Sequence, residues 1–135
     1  MPMSGRRTIL VAAGLLVPAA VAAHLPPGAT GPHGGQVQVL GPYHGELVAK
    51  DGELTLFLFD HRERPLDAGR AGGTALVLAG GRQQSLVFAS RADGVALVAT
   101  GDFPAAPGLR IIVQVTPAPG AAQAQARFTP AGLPR

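Results

Sequence analysis

The 135-residue chain contains no cysteine and no tryptophan, one tyrosine (Tyr43) and five phenylalanines. Without cysteine there can be no disulfide, no iron–sulfur cluster and no thiol nucleophile. Both methionines, Met1 and Met3, lie in the first three residues. Beyond them no soft sulfur ligand exists, which disfavours Cu(I) and leaves imidazole and carboxylate as metal donors. Charge is scarce too, at 14 % of residues. Eleven basic residues less Arg6 and Arg7 leave nine, against eight acidic residues that all follow position 45. A net +1 with scattered arginines and no interleaved aromatics is no footprint for nucleic acid. Serine is equally sparse after the first residues. Ser85 and Ser90 sit in no G-x-S-x-G elbow, and no phosphate loop or dinucleotide fingerprint occurs. Glu46 and Glu53 flank a turn as carboxylates of any strand pair would. An enzyme is not expected.

Glycine, proline and short apolar runs are plentiful. Arg6 and Arg7 precede the apolar run Thr8–Val17, and small residues lead to AAVAAH. That order predicts a secretory signal peptide over 1–23, too short for a membrane span of about 20 apolar residues. Cleavage after Ala22 or Ala23 fits the small-x-small rule. The paired arginines also fit a twin-arginine signal, so either export route would deliver a periplasmic or secreted chain with no membrane insertion after cleavage.

HLPPGATGPHGG, residues 24–35, reads as an irregular lead-in. Short β runs follow at Gln36–Leu40, His44–Lys50, Glu53–Asp60, Thr74–Ala79, Gln83–Ala89, Val95–Thr100, Leu109–Thr116 and Ala124–Thr129. Asp51-Gly52 and Gly80-Gly81 are two-residue hairpin signals. No capped helical period appears. The pattern predicts one all-β domain over 36–129, an antiparallel sandwich or barrel, with the immunoglobulin-like sandwich of seven or eight strands preferred. Residues 130–135 read as a frayed tail.

The chain has four histidines: His24, His33, His44 and His61. With Asp51 and Gly52 as the loop, Lys50 faces Glu53, Val48 faces Thr55, Glu46 faces Phe57 and His44 faces Phe59. Alternation then puts Leu47, Ala49, Leu54, Leu56 and Leu58 on the core side. His44, Glu46, Phe57, Phe59 and His61 share the other face. His44 and His61 become diagonal neighbours, roughly 7–8 Å apart at Cβ, close enough to share an ion. Glu46 could add an oxygen. His33, among glycines, could fold back over the hairpin. The candidate metal ligands are therefore His44, His61, His33 and Glu46, suited to zinc, copper(II), nickel or cobalt. The bland alternatives are a loop residue at His33, ring stacking of His44 on Phe59 and a turn residue at His61. Phe57 and Phe59 could instead form a partner-binding patch, unless a loop covers them. Cleavage after Ala23 would make His24 an N-terminal copper(II) chelate.

GPHGGQV, YHGELV and GELTLFLFDHRERPL, in that order, resemble a small periplasmic β-domain of cobalt–zinc–cadmium-type heavy-metal efflux adaptor (membrane-fusion) proteins, in a stand-alone secreted form. The resemblance spans Gly31 to about Leu66. It implies a β-sandwich-like fold, a role near divalent-metal export with an efflux system as partner, and importance for His33, Gly34, Gly35, Tyr43, His44, Glu46, Asp60, His61 and Pro65. The family pattern leads to a bulkier residue where this chain has Gly45. These 135 residues also hold neither the helical hairpin nor the lipoyl-like domain of a full adaptor. The expected role is thus a metal-binding accessory.

Overall fold

The computed structural model describes residues 26–130. The expected signal peptide, His24 and residues 131–135 lie outside the described residues. All regular structure among the described residues is strand: β1 Gln36–Leu40, β2 Tyr43–Lys50, β3 Glu53–Phe59, β4 Gly72–Ala79, β5 Arg82–Ser90, β6 Leu97–Thr100, β7 Arg110–Thr116 and β8 Ala124–Phe128. The strands run in the order β1-β2-β3-β6-β5-β4-β7-β8, and every neighbouring pair is antiparallel.

Two connections break the up-and-down order. Residues 60–71 carry the chain from β3 to β4, past the positions of β6 and β5. Residues 101–109 carry it from β6 to β7. β5 joins the two halves of the sheet. Residues 82–88 pair with β4, and Ala89 and Ser90 then pair with Val98 and Leu97 of β6. At the opposite seam a side chain replaces a backbone ladder. The Gln36 amide donates to the Thr129 carbonyl at 3.2 Å and accepts from its N–H at 2.8 Å. The all-β antiparallel expectation holds. The arrangement is one nearly closed sheet, closer to a barrel than to two separate packed sheets, because β5 and Gln36 bridge both seams.

Alternation explains the interior. Leu54, Leu56 and Leu58 of β3 point inward beside Leu47 of β2, Val77 of β4 and Ile111, Val113 and Val115 of β7, all at most 2 % exposed. Phe128 of β8 is fully buried among them. Each such side chain contributes on the order of 2 kcal/mol of burial. Gly45 belongs to this inward set. A Cβ there would lie 2.5 Å from Leu40 Cδ1 and 3.2 Å from Leu56 Cδ1. The bulk expected at position 45 is supplied by Leu40, so the strand packs without it.

Candidate functional site

The β2–β3 hairpin has the register derived from its two-residue turn. His44 pairs with Phe59, Glu46 with Phe57, Val48 with Thr55 and Lys50 with Glu53. Its outer face is not a wet surface, however. Phe57 is 8 % exposed, Phe59 6 % and Glu46 0 %. With Ala96 and the partly buried Val48, the two phenylalanines form a second hydrophobic cluster outside the barrel. They are therefore unavailable as an exposed partner-binding patch.

The cover over Glu46 and Phe57 is the lead-in. The loop over residues 31–35, GPHGG, turns back on itself through Gly31 N–H to Gly35 O at 2.8 Å and Gly34 N–H to Gly31 O at 3.0 Å. Gly34 has φ +81°, a conformation that glycine adopts without strain. The loop closes around the Glu46 carboxylate. Glu46 Oε2 accepts the backbone N–H groups of His33 and Gly35, each at 2.8 Å. Oε1 lies 2.8 Å from His33 Nδ1. Isolated in the interior, a carboxylate would be prohibitively costly; three converging N–H donors make this one tolerable. The His33 ring lies flat on Phe57, with centroids 3.6 Å apart and planes 2° apart, and 6.3 Å from Phe59. The packing leaves no room at Gly31, where a Cβ would stand 2.7 Å from both Glu46 oxygens.

Beyond β3 the chain turns sharply. Asp60 Oδ1 accepts from the N–H groups of Arg62 at 2.8 Å and Arg64 at 3.0 Å, and Arg64 Nε donates to Oδ2 at 3.0 Å. The Arg64 N–H first, helped by the Arg62 N–H and the Arg64 guanidinium, holds the Asp60 carboxyl below the usual carboxylate range against some desolvation. The turn places Glu63 at φ 64°, unusual for a residue with a side chain, and Glu63 Oε2 lies 2.7 Å from His44 Nδ1. His44 is thus engaged by Glu63. His61 is exposed in the turn.

Of the four expected ligands, the structure brings His33 and Glu46 together. It gives His44 a different carboxylate neighbour. Among the described residues, no three histidine, aspartate or glutamate side chains converge as a metal-binding group. Sequence reasoning missed Glu63, because its approach to His44 depends on a left-handed turn that no glycine announces. The carboxylate of Glu46, one of the candidate ligands, faces the loop above it. The GPHGG composition was the available signal, since a tight loop of N–H groups suits a carboxylate.

No family model matches the chain, and neither a curated protein nor a solved structure matches it. The resemblance to efflux adaptors is one of the quoted residues alone.

Proposed function

We propose that this chain is a periplasmic or secreted accessory protein that binds a divalent transition metal reversibly, in connection with heavy-metal efflux. The observation that carries the reading is the His33–Glu46 pair. A buried carboxylate that accepts a hydrogen bond from Nδ1–H favours that tautomer and leaves Nε2 with its lone pair, the arrangement in which histidines ligate metals. The His33 side chain is 40 % exposed and sits on a loop that Glu46 holds in place. In this reading Glu46 orients the ligand instead of being one. His44 and His61 are further imidazoles at the same end of the hairpin, and zinc, copper(II), nickel and cobalt suit such donors. A site with few protein ligands releases its ion readily, as a carrier must. No catalysis is part of this reading.

Calorimetric titration of the exported protein with Zn²⁺ and Cu²⁺ tests it. The expected result is micromolar binding that weakens at least about tenfold in His33→Ala, with a smaller loss in a His44→Ala/His61→Ala double variant. Absence of binding, or binding indifferent to all three histidines, overturns the proposal. Copper binding that survives all three substitutions would assign the ion to His24.

A further inference from the structure

The far side of the barrel, away from the hairpin, carries a second unusual face. On β4 the run Ala75–Ala79 is apolar throughout. Ala75 and Val77 are buried inside at 1 % exposure, so Leu76 and Leu78 point outward and are half-buried. Ile112 of β7 stands directly beside Leu76. Val87 of β5, opposite Thr74, is 75 % exposed. Strands that are apolar on both faces belong to sheets covered on both faces; among the described strands, β4 has β5 and β7 beside it, both within its own sheet.

Charge on this face has one sign. Arg127 of β8 pairs with Ile112, and Arg110 lies two residues along β7. The two arginines are diagonal neighbours on adjacent strands, about 7–8 Å apart at Cβ, and both stand on the exposed side of the sheet. The sequences of β4, β5, β7 and β8 contain no aspartate or glutamate. Five of the eight acidic residues instead lie between Glu46 and Glu63. Beside the arginines, the Gln114 amide donates to Gln125 Oε1 at 3.1 Å, so the polar groups are ordered across the two strands.

We infer that the outer face of β4, β5, β7 and β8 docks a protein partner whose contact surface is apolar at its centre and acidic at its rim. An apolar centre bordered by arginine, without lysine, is the composition of protein interfaces. Partner carboxylates would pair with Arg110 and Arg127 and steer the encounter. A lipid surface fits less well: the face is a sheet with no tryptophan or tyrosine, and its paired amides offer directional hydrogen bonds. The inference is independent of metal binding, which involves the other half of the barrel.

The test uses the full ¹⁵N-labelled chain and a soluble peptide alternating glutamate with leucine, with a glutamine-for-glutamate peptide as control. The expected result is amide shift changes concentrated on β4, β7 and β8. Affinity should fall at least about tenfold in Arg110→Glu/Arg127→Glu, in Ile112→Ala and with the control peptide. Both variants should retain the wild-type fold by circular dichroism. Absence of shifts on these strands, or binding unaffected by the charge reversal, overturns the inference. So does arginine-dependent sedimentation with phosphatidylglycerol vesicles in place of peptide binding, which would assign the face to a membrane. Self-association that Arg110→Glu/Arg127→Glu abolishes, without peptide binding, would assign it to a second copy and overturn it equally.

Discussion

Two outer faces of the same barrel carry large apolar side chains that point away from the interior, and they end differently. On the β2–β3 hairpin, Phe57 and Phe59 are buried, and the GPHGG loop that covers Phe57 is locked down by Glu46. On β4 and β7, Leu76, Leu78 and Ile112 remain half-buried beside two arginines. The difference lies in the chain's own connectivity. The lead-in enters next to β1 and can reach β2 and β3, and its glycines let the backbone approach a carboxylate closely. Alternation within a strand therefore says which way a side chain points. It does not say whether the face it joins is wet.

The sharpest way to break this contrast is to remove the anchor of the covered face. Glu46→Ala leaves the N–H groups of His33 and Gly35 without their acceptor and opens a void beneath the loop. The expected loss is about 3 kcal/mol in urea unfolding, with new binding of a hydrophobic dye as Phe57 is uncovered. An unchanged midpoint would mean that the loop contributes nothing to stability. Gly31→Ala should cost about 2 kcal/mol in the same assay. Its Cβ would press on the carboxylate, and that end of Glu46 cannot swing away while three N–H groups hold it.

On the open face the same kind of change should matter far less. Leu76→Thr puts a β-branched residue, well suited to a strand, at a half-exposed position and should shift stability by under about 1 kcal/mol. A loss as large as that of Glu46→Ala would show that Leu76 is as covered as Phe57. The smallest effect concerns the turn that presents Glu63. Asp60 has its pKa lowered by its N–H partners, so its contribution to stability is present above the usual carboxylate range and is lost as pH falls through the folded-state value. Asp60→Asn should therefore lower stability slightly at neutral pH and flatten the acid limb of the stability–pH profile. A variant whose acid limb matched the parent's would place that titration elsewhere.

How far the site could be read in advance differs from residue to residue. The pairing of His44 with Phe59 and of Glu46 with Phe57 followed from Asp51-Gly52, because a two-residue turn sets the register of everything behind it. The return of His33 over the hairpin was also foreseeable from its glycines. The engagement of His44 by Glu63 was not. It requires Asp60 to gather the N–H groups of Arg62 and Arg64 and Glu63 to adopt a left-handed conformation, a compact turn that spacing along an extended strand misrepresents. The same turn leaves His61 exposed, as the bland turn-residue reading had it.

Sequence alone determined the eight strands, their turns and the inward set of leucines and valines, because these depend on local periodicity and on backbone preferences of glycine and aspartate. It also determined the chemistry on offer, with imidazole and carboxylate present and sulfur absent from the domain. Only the tertiary structure decided that the sheet nearly closes, through the switch of β5 from pairing with β4 to pairing with β6 and a glutamine amide at the far seam. Only the tertiary structure, too, turned Glu46 from a surface acid into a buried anchor. Both outcomes depend on segments distant in sequence meeting in space, and no local pattern encodes which of several reachable faces a glycine-rich loop will cover.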